Sequence, residues 1–261
     1  MTPGIDARLA RLGRDGRFVT IPMDHGITMG AVRGLKDIES TIDAITRGGA
    51  DTVLTQKGIA GRVHPNKNGA GYIIHLNGST SIGPDENDKR RTCSVEEAVK
   101  LGADGVSFHI NVGSDYEPGQ IEDLASVTEA AHDLGMPVLV MAYARGPGID
   151  EHDAEALGHA VRLAEELGGD IVKTSYSGDA ESFEHVTAST SKPVIIAGGS
   201  PSGDLATLEN VRGAMDAGAS GVSMGRTVFQ HEDPYAISSA IAAVVHEGAT
   251  AADALAEYGL Q

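Results

Sequence analysis

Apolar runs and segments of helical periodicity alternate along most of the chain. The apolar runs are continuous, which is typical of parallel strands that are buried on both faces. Eight of them predict strands, at residues 18–23, 52–55, 73–76, 105–110, 138–143, 171–173, 194–197 and 221–224. Helical patterns between and after these runs cover residues 37–47, 95–101, 121–134, 153–167, 180–188, 205–217 and 234–245.

The ends of the helical patterns carry stop signals. LGAD, LGMP, LGGD and AGAS each place a glycine between a helical pattern and the next strand. In the first pattern Ile38, Ile42 and Ile45 share one face, and Asp37 is placed to cap the helix. Residues 58–71 barely support a helix, and residues 77–91 predict a loop long enough to be a functional insertion over one end of the fold.

The repeated strand–helix units predict one fold class above the others. Eight units over about 250 residues match the size of a (β/α)8 TIM barrel. A doubly wound open sheet is the structural rival, although it rarely needs eight units without an antiparallel edge. No linker or shift in composition divides the chain, so residues 1–261 are predicted to form a single α/β barrel domain. Residues 3–13 and 251–258 are then short extra helices outside the barrel.

The charge balance narrows the range of partners. The 37 acidic and 20 basic residues give a net charge of −17, which repels nucleic acid and anionic membrane surfaces. Only 7 of the basic residues are lysines, and this acidic, lysine-poor composition favours a salt-adapted protein slightly over an ordinary acidic one. The single Cys93 excludes an internal disulfide. No signal peptide or membrane-spanning run is present, so the protein is predicted to be soluble and cytoplasmic.

The candidate chemistry lies at the carboxyl ends of the predicted strands, where TIM barrels carry their active sites. Of the lysines, Lys57 and Lys173 end strands, and Lys173 has the longer apolar approach. A buried amine is a good nucleophile toward ketones, with which it forms a Schiff base. Taken alone, a strand-end lysine is more often an ion-pair partner or a phosphate ligand, and the neighbouring candidate residues favour the catalytic interpretation here. Solvated charge explains the other five lysines, which are Lys36, Lys67, Lys89, Lys100 and Lys192.

Other strand ends supply candidate proton-transfer groups. Asp24 in PMDHG can exchange protons with an amine, or can simply satisfy loop hydrogen bonds. Tyr143 can donate a proton without carrying charge, or can be a half-buried core residue. His25, His75 and His109 lack the spacing of metal ligands, so structural histidines are favoured and no metal is expected.

Two glycine runs indicate a bound phosphate. AGGSPSGD, with Gly198 and Gly199, follows the seventh strand, and MGRT, with Gly225 and Arg226, follows the eighth. The loops after these strands form the usual phosphate site of a TIM barrel. A tight turn between strand and helix would explain a single glycine, but it explains two glycine runs after neighbouring strands poorly. The residues by themselves therefore suggest a metal-free lysine aldolase that acts on a phosphorylated sugar.

PMDHG, AYARG, DIVKTSY, AGGS and SMGR, in this order and spacing, resemble the archaeal-type class I aldolase family along essentially the whole chain. HLNGSTSIGPDENDKR and VSFHINVGSDYEP resemble one branch of it, the 2-amino-3,7-dideoxy-D-threo-hept-6-ulosonate synthases, which act in a route to the aromatic amino acids. The resemblance implies a transaldolase reaction without a cofactor. A Schiff base cleaves 6-deoxy-5-ketofructose 1-phosphate, and the resulting enamine attacks L-aspartate semialdehyde. It also implies a homo-oligomer, often a ring-shaped decamer.

The resemblance further implies roles for individual residues. Lys173 would form the Schiff base, Asp24 would accept a proton and Tyr143 would donate one. The sugar-phosphate site would comprise Asp24, His25, Gly26, Ile27, Thr28, Tyr143, Ala144, Arg145, Lys173, Gly198, Gly199, Gly225 and Arg226. Ala144 departs from the family pattern, in which a proline more often follows the tyrosine.

Two rival functions remain open at the level of sequence. A class I fructose-bisphosphate aldolase of the same family would share the lysine and the phosphate glycines, and the segment 77–91 argues against it. A non-catalytic sugar-phosphate-binding barrel would keep the glycines but would have no need for a lysine, an aspartate and a tyrosine at the strand ends.

Overall fold

In a computed structural model that describes residues 2–199 and 203–260, the strands close into a barrel. The barrel strands are β1 (Phe18–Pro22), β2 (Thr52–Gln56), β3 (Gly71–His75), β4 (Gly105–Val112), β5 (Val138–Ala144), β6 (Ile171–Thr174), β7 (Val194–Ala197) and β8 (Gly221–Ser223). Neighbouring strands are parallel, and β1 pairs with both β2 and β8 to complete the circle. The predicted (β/α)8 fold is thus confirmed, and the open sheet is excluded.

Helices surround this barrel. They are α1 (Pro3–Leu12), α2 (Gly26–Met29), α3 (Ile38–Arg47), α4 (Ala60–Val63), α5 (Val95–Lys100), α6 (Glu117–Asp133), α7 (Ala154–Glu166), α8 (Ala180–Ala188), α9 (Asp204–Asp216), α10 (Arg226–Phe229), α11 (Pro234–Ala242) and α12 (Ala251–Glu257). A 3₁₀ turn (Lys57–Ile59) precedes α4, and a π-helical turn (Ala243–Glu247) continues α11. No helix within the described ranges is long and apolar enough to cross a membrane.

Most predicted elements form where expected, with two local differences. Asp37 lies at the start of α3, but its side chain makes no capping bond, so that prediction was wrong. Its backbone, at φ −109° and ψ 67°, departs from the extended conformation in which capping side chains fold back. The segment 77–91 is a short antiparallel hairpin, in which Asn77–Gly78 pair with Arg90–Arg91, rather than an open loop.

Side chains along each strand alternate between the barrel interior and the layer beneath the helices. In β5, Leu139, Met141 and Tyr143 pack together inside the barrel, whereas Val140 and Ala142 belong to the larger core between strands and helices. Ile171 of β6 joins the interior cluster and Val172 joins the outer core. Lys173 therefore lies on the interior side of β6.

The amino-terminal end of the barrel is closed by α1. Leu12 joins the interior cluster, and its backbone oxygen accepts a hydrogen bond from the Thr52 hydroxyl at 2.8 Å. Arg8 donates to the backbone oxygen of Gly135 at 2.9 Å. Because this end is plugged, the chemistry that a barrel interior supports is confined to the opposite, carboxyl end of the strands.

Candidate active site

Lys173 lies near the carboxyl end of β6 and is only 6% exposed. Interior neighbours Met141 and Ile195 pair with it across β5 and β7. Within the described residues its amine makes no hydrogen bond and no ion pair inside 4 Å. An amine held here without a fixed partner is available to a ligand, which is what Schiff-base chemistry requires.

Asp24 follows β1 and faces the same interior. Burial by itself would raise the pKa of its carboxyl, but electrostatic interactions with His75, His25 and the Lys173 amine together outweigh burial and hold that pKa below its ordinary value. The side chain keeps 16% exposure at the barrel mouth. Asp24 is therefore an ionised carboxylate at neutral pH, electrostatically coupled to the Lys173 amine and able to take up a proton.

Two buried histidines form a neutral wall beside this pair. His75 Nδ1 shares a 2.7 Å hydrogen bond with the Ser107 hydroxyl, and its Nε2 lies 3.7 Å from the Asp24 carboxylate. Burial lowers the pKa of His75 to about 4, so the ring is neutral at pH 7. His109 bonds Asn111 at 2.8 Å, and burial, with the charges of Lys89 and Arg145, holds its pKa well below the ordinary value. Both rings are hydrogen-bonded, and their structural role stays a prediction.

His25 packs between Asp24 and the end of β8. Its ring meets Phe229 edge-on at 5.1 Å, and burial lowers its pKa despite the opposing charge of Asp24. Its buried Nδ1 has no hydrogen-bond partner within the described chain and lies 3.6 Å from Asp24. Gly225 allows this packing, because a Cβ there would lie 2.4 Å from the His25 ring and 2.7 Å from the Pro22 carbonyl oxygen.

Tyr143 ends the interior face of β5. Its ring lies 5.0 Å from that of His109, and the Arg145 guanidinium stacks over it at 4.3 Å. Arg145 also pairs with Glu151 at 3.0 Å. The methyl group of Ala144 packs in the outer core, so only the backbone of this residue can line the mouth of the barrel.

The predicted phosphate residues come together after β7 and β8. Arg226 donates to the Gly199 carbonyl oxygen at 3.1 Å, which places the guanidinium beside both glycine runs. Gly199 has a φ of +61°, a conformation that favours glycine. A Cβ at Gly198 would press on Met224 and Thr227 from 3.0 and 3.1 Å. Ser200, Pro201 and Ser202 of the same run lie outside the described residues.

Within the loop after β1, Ile27 and Thr28 support the hairpin 77–91. The Thr28 hydroxyl donates to the Ser79 backbone oxygen at 2.9 Å. The Thr28 carbonyl oxygen accepts from the Ser81 hydroxyl at 2.9 Å. Ile27 lies against Gly78. Gly26 begins α2 and is exposed.

The two strand-end lysines, Lys57 and Lys173, lie in different environments. Lys57 follows β2 in the 3₁₀ turn, is 40% exposed and pairs with Glu97 at 2.9 Å. The hydrogen bond to Glu97, with the charge of that carboxylate, raises the pKa of Lys57, so Lys57 is an ammonium on the outside of the barrel. Lys57 is thus the ion-paired alternative, and Lys173 is the interior amine.

Lys89 was expected to be a solvated charge, and this expectation was wrong. Its amine donates to the Ser79 hydroxyl at 2.7 Å, and the side chain is half-buried. Burial lowers its pKa, and the neighbouring Arg145 charge lowers it further. No spacing rule distinguishes a lysine in DENDKRR from a solvated one, because its burial depends on how the hairpin folds over the barrel.

The described residues contain no group of three or more His, Cys, Asp or Glu side chains that could hold a metal ion. The arrangement instead brings together an interior amine, an ionised carboxylate, a phenol and a cationic glycine-lined corner. These groups suit addition of an amine to a carbonyl followed by proton transfer.

The family model for DeoC/LacD family aldolases matches residues 18–231. A 2-amino-3,7-dideoxy-D-threo-hept-6-ulosonate synthase from Halobacterium salinarum is 65% identical over 98% of this chain and 97% of its own length. A class 1 fructose-bisphosphate aldolase from the same organism is 35% identical over 94% of this chain and 96% of its own.

The fold also matches solved structures of related enzymes. One is an archaeal fructose-1,6-bisphosphate aldolase whose catalytic Lys is covalently bound to the carbinolamine intermediate of the substrate. It superposes with a TM-score of 0.84 at 31% identity, over 92% of this chain and 99% of its own.

Proposed function

Since the chain belongs to the DeoC/LacD family of aldolases, we propose that it is a Schiff-base transaldolase with 2-amino-3,7-dideoxy-D-threo-hept-6-ulosonate synthase activity. The proposed substrates are 6-deoxy-5-ketofructose 1-phosphate and L-aspartate semialdehyde. The observation that carries the chemistry is the interior Lys173 amine, which has no fixed partner within the described residues and is coupled to the ionised Asp24.

The proposed reaction begins when the Lys173 amine adds to a ketone carbonyl of the sugar. Loss of water from the carbinolamine leaves an iminium ion, which is an electron sink. The bond between the α and β carbons then breaks, and its electron pair forms the enamine. Asp24 takes the proton of the β-hydroxyl, and the β fragment leaves as an aldehyde. The enamine attacks the second aldehyde, whose oxygen takes the proton back from Asp24, and hydrolysis of the new iminium frees the amine.

The surrounding residues are proposed to orient this reaction. The Tyr143 phenol supplies a proton to the carbinolamine hydroxyl as it leaves as water and regains one during the final hydrolysis. Arg226 with the glycines after β7 and β8 holds the phosphate. His75 and His109 are neutral and keep the wall of the site free of competing charge. Residues 24–28 and 143–145 complete the lining.

Sequence similarity supports this substrate pair over fructose bisphosphate. Identity to the heptulosonate synthase is 65%, against 35% to the fructose-bisphosphate aldolase, over nearly the same span of the chain. We also propose that residues 1–261 form a single domain, that the enzyme works in the cytoplasm and that it assembles into a homo-oligomer. The last proposal rests on the family resemblance and is tested by sedimentation velocity.

Parallel assays distinguish the two substrate assignments. Purified protein is given 6-deoxy-5-ketofructose 1-phosphate with L-aspartate semialdehyde, or fructose 1,6-bisphosphate alone, and products are followed by mass spectrometry. We expect a much higher kcat/KM for the first pair. Preferential cleavage of fructose 1,6-bisphosphate would make the protein a fructose-bisphosphate aldolase, and no turnover of either would support the non-catalytic barrel.

A further inference from the structure

Hydrogen bonds join the hairpin 77–91 to two sides of the barrel mouth. On one side Ser79 and Ser81 bond to Thr28, after β1. On the other side the Asn87 carbonyl oxygen accepts hydrogen bonds from Gln120 at 2.6 Å and from Asn111, at the end of β4, at 3.4 Å. The hairpin is therefore a fixed cover over the mouth, and the side chains that it directs inward belong to the site.

Lys89 is the cation that this hairpin contributes. Its amine is held by the Ser79 hydroxyl at 2.7 Å, and Ser79 donates in turn to the Glu86 carbonyl oxygen. Within the described residues Lys89 has no carboxylate within 4 Å, although acidic residues outnumber basic ones by 37 to 20 in this chain. Its charge acts on His75, His109 and Arg145, which line the β3 to β5 side of the site.

The cations of the site thus form two groups on either side of Lys173. Arg226 and the glycine runs lie after β7 and β8, whereas Arg145 follows β5 and Lys89 interacts electrostatically with Arg145, with His75 of β3 and with His109 of β4. In the strand order of the barrel, β6 with Lys173 stands between these groups. A phosphate at the Arg226 corner and an anion at Arg145 and Lys89 would therefore lie on opposite sides of β6 in the strand order.

Arg145 is already paired with Glu151 at 3.0 Å, whereas the half-buried Lys89 has no carboxylate within 4 Å among the described residues, so its charge is the one that lacks a close anion. Burial and the charge of Arg145 both lower the pKa of Lys89, and the more distant Glu86 and Asp24 oppose this only in part. An incoming carboxylate or phosphate would relieve the repulsion and gain charge-assisted hydrogen bonds.

We propose that Lys89, together with Arg145, binds the anionic group of the aldehyde partner and so selects acidic aldehydes over neutral ones. The proposal rests on the proposed function and deepens it, because it assigns the second substrate its binding residue. A carboxylate on the acceptor aldehyde and a phosphate on an aldehyde fragment share the required chemistry.

The test measures selectivity rather than activity alone. kcat/KM is compared for succinic semialdehyde against butanal, which differ by a carboxylate, and for glyceraldehyde 3-phosphate against glyceraldehyde, which differ by a phosphate. Each pair is assayed with wild-type enzyme, Lys89→Met and Lys89→Arg. Lys100→Met, which removes an exposed charge at the end of α5, is the matched control.

Loss of one charge-assisted contact should lower the preference for the anionic aldehyde about ten- to hundredfold in Lys89→Met. Lys89→Arg should retain most of the preference and Lys100→Met all of it. The pair that loses its preference identifies the anion as carboxylate or phosphate. Unchanged ratios for both pairs in Lys89→Met, or an equal fall in Lys100→Met, would overturn the proposal.

A failure of this inference can be told apart from a failure of the proposed function. If wild-type enzyme forms no Schiff base with the phosphorylated ketose, the proposed function is wrong. If wild-type enzyme reacts but Lys89→Met keeps its selectivity, and its melting temperature shows that it is folded, only the role of Lys89 is wrong.

Discussion

His75 should make the stability of the protein depend on pH in a window that the structure defines. Burial lowers the pKa of His75 to about 4 in the folded chain, against an ordinary value of 6.5. Between about pH 6.5 and pH 4, His75 binds a proton in the unfolded chain but stays neutral in the folded chain. The stabilisation from a neutral His75 is therefore complete above pH 6.5 and is lost as the pH falls toward 4.

The magnitude follows from the two pKa values. A pKa difference of one unit corresponds to about 1.4 kcal/mol. The difference between the unfolded and folded pKa values of His75 therefore lowers the free energy of unfolding by about 3 kcal/mol at low pH, and about 2 kcal/mol of this is already lost at about pH 5. His75→Asn removes this titration and can keep a hydrogen bond to Ser107, since the asparagine amide reaches the position of Nδ1.

The assay is urea unfolding of wild type and His75→Asn between about pH 7 and pH 5 at one fixed salt concentration. We expect the difference in unfolding free energy between the two proteins to shift by about 2 kcal/mol in favour of the variant at the lower pH. His159→Asn, on an exposed helix face, is the control and should follow the wild-type curve. Parallel curves for wild type and His75→Asn would refute the assignment of a buried, neutral His75.

Three further outcomes are expected. With a net charge of −17, the melting temperature should rise from low to molar salt, and a flat or falling trend would remove the salt-adapted interpretation. Turnover should survive prolonged EDTA treatment, whereas loss of activity that zinc or magnesium restores would contradict the imine chemistry. Gly225→Ala should lower stability by about 1–3 kcal/mol and raise KM for the phosphorylated ketose, because its methyl group would meet His25 and the Pro22 carbonyl. Gly58→Ala, where a Cβ meets nothing within 4 Å, is the matched control.

The barrel and the interior position of Lys173 could be predicted because strands and helices leave periodic signals. Continuous apolar runs ending at Tyr143 and Lys173 marked the buried strands, and the rule that barrel chemistry lies at their carboxyl ends selected the side chains. The alternation of neighbours along a strand also separates Tyr143, inside, from Ala144, in the outer layer, once the strand is known.

Contacts set by pairing and loop geometry could not be predicted in the same way. The bond between His75 and Ser107 depends on the register of β3 against β4, which places these residues opposite each other. Lys89 enters the site only because its hairpin is tied to Thr28 and Asn111, far away in sequence. Neither contact can be read from the residues next to it in the sequence, because each joins segments that are far apart along the chain.

The central claim is that Lys173 is the amine that forms the Schiff base, and borohydride trapping tests it directly. Protein is incubated with the phosphorylated ketose, reduced with sodium borohydride, digested and analysed by mass spectrometry. The account predicts one covalent adduct, on Lys173, which persists in Lys57→Met and disappears in a folded Lys173→Met variant without turnover. An adduct on Lys57, or a Lys173→Met variant that keeps full activity, would contradict it.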